Sequence, residues 1–141
     1  MDNVALVVGA TGLVGRALTD KLGSAGHIKT VVTLTRRPSP HAAAKVNNHV
    51  VDFDRLEDDA ALFHAELLFS CLGTTRRQAG SIAAQRKVDL DYQYRAARLA
   101  AKHGVRHYLL VSSSGADAES RNPYLQMKGE LERKVQKLPF E

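Results

Sequence analysis

Cysteine, tryptophan and long apolar stretches are what this chain does without. Its 141 residues include one Cys, no Trp and four Pro. A lone Cys71 cannot close an internal disulfide, which excludes a disulfide-stapled domain and fits a reducing compartment. No apolar run approaches the ~20 residues that a membrane-spanning helix needs. The run Val4 to Val8 is broken by Gly9, Gly12 and Gly15 and followed by Arg16 and Asp20. No basic stretch precedes it, as one would in a secretory leader, so the expected location is cytoplasmic, with no membrane partner. Neither sign of charge dominates: 20 Lys and Arg against 15 Asp and Glu leave +5 with His neutral. That excess suits a phosphate-bearing ligand as well as a basic surface, and alone makes no case for nucleic acid. The six His are scattered. His103 and His107 lie four apart, but Gly104 separates them, and no metal site is expected. Free of these features, the chain has the size of one domain and the composition of a soluble globular protein.

What is present is an alternation of short apolar runs and longer amphipathic stretches. Val4-Ala5-Leu6-Val7-Val8 predicts a buried strand. Val14, Ala17, Leu18 and Leu22 then share one helix face. Thr30 to Thr35 predicts a second strand, Val50-Val51 a short third and Leu67 to Cys71 a fourth. A short helix is expected over Asp58 to Phe63 and a long one from about Ser81 to His103, which could support a homodimer. Asp89 and Asp91, with Arg86, Arg95 and Arg98, read as its solvated face. Val105 to Ser112 predicts a fifth strand, and Tyr124 to Leu138 a last helix stopped by Pro139. The alternation gives an α/β class: a doubly wound, Rossmann-like parallel sheet with helices on both faces. Leu138-Pro139-Phe140-Glu141 reads as the run-in to a sixth strand. The expectation is one domain over residues 1–141, cut before or at that strand.

The first turn carries the sharpest chemistry. Gly9-Ala10-Thr11-Gly12-Leu13-Val14-Gly15 follows the first strand and opens the first helix, which is the setting a glycine-rich phosphate turn requires. Gly9 permits the tight turn, Gly12 lets a pyrophosphate approach the backbone, and Gly15 lets helix and strand pack. Helix amides and dipole favour the anion, and Thr11 can add a hydroxyl. At the end of the second strand a carboxylate would accept from the 2′-hydroxyl of NAD. Here Arg36 and Arg37 stand instead, and guanidinium forks suit a 2′-phosphate. The cofactor reading is NADP(H) in preference to NAD. Asp52 is a candidate for the adenine edge. Leu72 and Gly73 end the fourth strand, where ligands of such sheets lie. Cys71 beside them reads as packing in preference to a nucleophile.

Tyr124 and Lys128 are four apart, so they share a helix face. An ammonium near a phenol stabilises the phenolate and makes it a usable general acid or base. Ser112-Ser113-Ser114, at the carboxyl end of the fifth strand, can hold a substrate oxygen.

Together, Gly9 to Gly15, the serines and Tyr124-x-x-x-Lys128 resemble the short-chain dehydrogenase/reductase superfamily. Within it the chain is similar to the atypical branch related to the Tat-interacting oxidoreductase-like proteins. The supporting stretches are Thr35-Arg36-Arg37, Val50 to Phe53, Cys71 to Arg76, Val88 to Tyr92, Ser113 to Asp117 and Tyr124 to Glu130. The resemblance implies that Thr11, Gly12, Leu13 and Val14 line a pyrophosphate and that Arg36 and Arg37 hold the 2′-phosphate. It places Leu72 and Gly73 beside the nicotinamide half, Lys128 on its ribose and Tyr124 as proton donor or acceptor. It leaves the serine open between Ser112 and Ser114, and implies a sixth strand and a C-terminal substrate-covering part past residue 141, expected to be absent from this chain. The activity implied is NADP(H)-dependent hydride transfer on a small carbonyl or alcohol. The alternative is an NADP(H)-binding module that regulates a protein partner without turnover.

Overall fold

The first strand is apolar at every position from Val4 because both of its faces are covered. The computed structural model describes residues 3–74 and 76–141. Thr75, within the stretch Cys71 to Arg76, lies outside the described residues. Along the chain come β1 (Asn3–Val8), α1 (Leu13–Ser24), β2 (Ile28–Thr35), β3 (Val46–Val50), a 3-10 segment (Phe53–Phe63) and β4 (Leu67–Ser70). They are followed by α2 (Arg76–Ala79), α3 (Ile82–Arg86), a π turn (Lys87–Tyr92), α4 (Gln93–Lys102), β5 (His107–Leu110) and α5 (Pro123–Val135). The strands form one sheet in the order β3-β2-β1-β4-β5, and every pairing is parallel. This is the doubly wound arrangement expected, with the order reversing between β1 and β4. Ligands of such sheets bind at that reversal, beyond the carboxyl ends of the strands.

Successive residues of β1 point to opposite layers, as the period of a strand dictates. Ala5 and Val7 pack with Ile28, Val31, Val46 and Leu22 of α1. Leu6 and Val8 pack with Leu34, Phe63, Leu68 and the Ala96–Ala100 face of α4. A smaller cluster, Leu90, Met127 and Leu131, joins α5 to the π turn. Among the described residues no helix is long and apolar enough to cross a membrane.

Four local expectations are corrected. The third strand is Val46–Val50, not Val50-Val51. Its polar run escapes an apolar reading because Asn48 Nδ2 donates to Thr33 Oγ1 at 2.9 Å and Thr35 Oγ1 at 3.0 Å, a side-chain ladder along the sheet's edge. The helix expected over Asp58 to Phe63 is part of the longer 3-10 segment, whose backbone leaves helical angles at Arg55 and Asp59. In α1 the buried line is Gly15, Thr19 and Leu22, so the face is rotated from the one that Val14 and Ala17 suggested. Finally, the long helix over Ser81 to His103 is broken in phase by the π turn, which changes which side chains face inward.

At the edge strand, Tyr108 stacks on Phe140 with ring centroids 5.2 Å apart. Burial pushes its phenol up from 10.0 to about 12, with the Ser70 hydroxyl acting in the opposite direction. Between those two values an unfolded chain has released a proton that the folded one still holds. Stability is therefore present below about pH 10 and is lost as pH climbs toward 12. Urea unfolding across that window is expected to show a smaller loss in Tyr108→Phe than in the unmodified protein. Equal losses would mean that another group governs alkaline unfolding.

Candidate functional site

The turn from β1 into α1 is built on backbone touching backbone. Gly9 has φ +80°, and a Cβ there would collide with the Cys71–Leu72 peptide. A Cβ on Gly15 would collide with the Gly9 carbonyl. These two glycines are required by packing, whatever the turn binds. Gly12 is different: a Cβ on it would meet only the Gly9 oxygen, at 3.7 Å, an ordinary contact. Its backbone is extended at the N-cap of α1, with no side chain capping the helix. The first-turn amides of α1 thus present their positive end toward open space.

That space is a cleft of about 830 Å³ at the carboxyl ends of β1, β2 and β4. By the strand order, Gly9, Thr11 and Gly12 line its middle, Arg36 and Arg37 the side of β2, and Leu72 and Gly73 the side of β4. Phe53, Lys87 and Tyr92 complete a wall that sequence reasoning did not single out. Phe53 stacks on Tyr92 with centroids 5.5 Å apart. Lys87 bridges to Asp54 at 3.0 Å, a hydrogen bond that holds the Asp54 carboxyl below its usual range. Both arginines are exposed, and among the described residues neither makes an ion pair. The cleft therefore offers the N-terminal end of α1 and two guanidiniums without an ion pair among the described residues, a set suited to phosphate oxygens.

Leu13, Val14, Gly15, Asp52, Ser112, Ser114, Tyr124 and Lys128 fall outside this lining. Leu13 and Val14 sit on the first turn of α1 and point to solvent, Leu13 being 92% exposed. Asp52 is exposed and spends its carboxylate as a cap, accepting from Asp54 N at 2.9 Å. Cys71 lines the cleft, but burial pushes its thiol up, which disfavours the thiolate a nucleophile needs.

The Tyr–Lys pair lies on α5. Asn122 caps that helix, its Oδ1 accepting from Tyr124 N and Leu125 N. Tyr124 is 37% exposed, and Lys128 Nζ stands 5.7 Å from the centre of its ring. The loop after β5 is clamped to this helix. Asp117 N donates to Leu125 O at 3.0 Å, and a Cβ on Gly129 would collide with the Asp117–Ala118 backbone. The loop that carries the serines is thereby fixed against the helix that carries Tyr124. Ser114 is exposed, whereas the Ser112 hydroxyl is buried without a hydrogen-bond partner among the described residues.

Lys128 departs from expectation. Only 3% of it is exposed, and its Nζ lies 2.9 Å from Oδ1 of Asp89. Asp89, read from sequence as part of a solvated face, is 1% exposed; Asp91 is the one at the surface. The π turn is the cause, since its wider winding shifts the phase of the inward face. Arg86 and Arg95 are also committed, to Glu130 and to the Phe53 carbonyl.

A family profile described as NAD(P)H-binding matches residues 9–137. Protein HTATIP2 of Rattus norvegicus is 40% identical over 139 residues, covering 96% of this chain and 57% of its own length. A protein of Eremothecium gossypii named FMP52, mitochondrial, is 39% identical over 137 residues, covering 97% of this chain and 61% of its own. The chain thus spans about three-fifths of these relatives. Among solved structures, the Bordetella bronchiseptica enzyme WbmG in complex with NAD superposes with a TM-score of 0.79 at 14% identity. It matches 99% of this chain and 51% of that one, a likeness of fold. The cytoplasmic expectation does not survive: the relatives from E. gossypii, Coccidioides immitis and Saccharomyces cerevisiae are all named mitochondrial.

The glycine geometry has a direct test in chemical denaturation. Gly15→Ala and Gly9→Ala are each expected to cost about 1–3 kcal/mol or more through overpacking. Gly12→Ala, with room for its methyl, is expected to stay within about 0.5 kcal/mol of the parent. Equal losses at all three would refute the division between packing glycines and an approach glycine.

Proposed function

Because this chain belongs to the NAD(P)H-binding family, we propose that it is an NADP(H)-dependent oxidoreductase acting on a small carbonyl or alcohol. The observation that carries this reading is the single cleft lined by Gly9, Thr11 and Gly12, by Arg36 and Arg37, and by Leu72 and Gly73. A dinucleotide has phosphates for the first group, an adenosine end for the second and a nicotinamide end for the third. When bound, the nicotinamide supplies or accepts the hydride.

The remaining work belongs to side chains of this chain. The N-terminal end of α1 and the Thr11 hydroxyl receive the pyrophosphate. Arg36 and Arg37 hold the 2′-phosphate, for which no carboxylate competes at the end of β2. The Tyr124 hydroxyl gives its proton to a substrate carbonyl oxygen, or takes one from an alcohol in the reverse direction. Lys128 stands one turn further along the same helix, its Nζ 5.7 Å from the centre of the Tyr124 ring. Of the two serines, we assign the substrate oxygen to Ser112, whose hydroxyl has no hydrogen-bond partner among the described residues, in preference to the exposed Ser114. Mitochondrial association, as in the names of the fungal relatives, is the accompanying reading of location.

Titration with NADPH and, in parallel, NADH, followed by nicotinamide fluorescence, tests the cofactor assignment. Saturable binding with preference for NADPH is expected, and Arg36→Ala with Arg37→Ala should weaken NADPH by about tenfold or more while leaving NADH unchanged. Preference for NADH would overturn the arginine assignment. In a carbonyl-reduction screen, Tyr124→Phe should abolish turnover while retaining NADPH binding. Retained turnover would remove Tyr124 from its role.

A further inference from the structure

Asp89 and Lys128 are the charged side chains counted as buried among the described residues, and they are paired with each other at 2.9 Å. Taking both charges out of water is costly, and an apolar pair of similar volume commonly serves packing as well or better. Stability alone does not account for them. The carboxylate reaches its place through the π turn, a feature found frequently at functional sites.

One carboxylate joins three parts of the molecule. Its Oδ2 accepts from Thr74 N at 3.0 Å. Its Oδ1 would lie 3.2 Å from a Cβ on Gly73, so the turn after β4 closes directly over it. The same Oδ1 faces Lys128 on α5. The Asp89 main chain is fixed in turn: its carbonyl accepts from Gln93 Nε2 at 2.8 Å, and Gln93 Oε1 accepts from Ser70 Oγ at 2.8 Å. Gly73 and Thr74 line the cleft, and Lys128 stands beside the Tyr124 ring. Asp89 itself does not line the cleft.

We propose that Asp89 is a positioning residue of this site. Its carboxylate fixes the Lys128 ammonium against the Gly73–Thr74 turn and so sets the reach of Lys128 toward the nicotinamide half of a dinucleotide. The inference rests on the function proposed above. Asp89 acts through Lys128 and touches no ligand.

A double-variant cycle on the purified 141-residue protein tests it. Asp89→Asn, Lys128→Met and the pair are titrated with NADPH and, separately, with adenosine 2′,5′-bisphosphate, which carries the adenosine half alone. Each single variant is expected to weaken NADPH by about tenfold, and the pair by about the same tenfold, because the two residues act as one unit. The bisphosphate affinity is expected to be unchanged throughout. A loss of about a hundredfold in the pair, the additive result, would overturn the inference. So would unmodified NADPH affinity in Asp89→Asn. Loss of the bisphosphate together with NADPH in Asp89→Asn would make Asp89 merely structural, and would overturn it too. If Asp89→Asn does not fold, Lys128→Met against the pair carries the test: equal NADPH affinities are expected, and a further drop refutes the coupling. Absence of NADPH binding by the unmodified protein is a separate outcome, which would overturn the functional reading and this inference with it.

Discussion

At Gly9 the backbone of the first turn lies against the Cys71–Leu72 peptide with no space for a side chain, while Gly15 brings α1 down onto the Gly9 carbonyl. Two backbone contacts therefore fix the angle at which α1 leaves the sheet. The helix N-terminus, the carboxyl ends of β1 and β4 and the cleft between them follow from that angle. Were either glycine to carry a side chain, α1 would have to lift from the sheet, and its unsatisfied amides would no longer face the cleft. Gly12 is spared this crowding, so the same short sequence serves packing at two positions and open approach at a third.

On the opposite layer, the constraint is polar. Ser70, Gln93, Asp89 and Lys128 form a continuous buried line from the end of β4 to α5. Low local dielectric strengthens each of these links and makes any unpaired member expensive. α5 is thereby held at two places, by this line within and by the Asp117–Ala118 backbone against Gly129 without. Tyr124, at the start of that helix, inherits its position from both.

Much of this was legible in the amino-acid sequence, and the reasons are particular. Gly9, Gly12 and Gly15 stand where only backbone fits or approaches, so their spacing speaks for itself. Arg36 and Arg37 follow a β-branched strand directly. Asp89 was not legible. An Asp that follows Arg86 and Lys87 in an amphipathic stretch has every mark of a surface residue, and nothing in a 3.6-residue period announces a π turn that swings it inward. The third strand was misplaced because Asn47, Asn48 and His49 belong to a sheet edge, where side-chain bonds to Thr33 and Thr35 replace apolar packing. Phe53 and Tyr92 escaped notice as cleft wall because their contact spans two segments far apart in sequence. Location was beyond reach of composition: a soluble-looking chain is compatible with any aqueous compartment.

The contact at Gly9 also orders events in time. β1, α1 and β2 occupy the first 35 residues, and their pairing is local. The peptide that walls the glycine turn, Cys71–Leu72, is supplied from about sixty residues downstream, and closing so long a loop carries an entropic cost that local contacts do not. The glycine turn is therefore completed only when β4 docks beside β1. A chain still emerging from the ribosome carries the whole motif well before it has the peptide that the motif packs against, and the finished turn arrives as one of the later steps of folding.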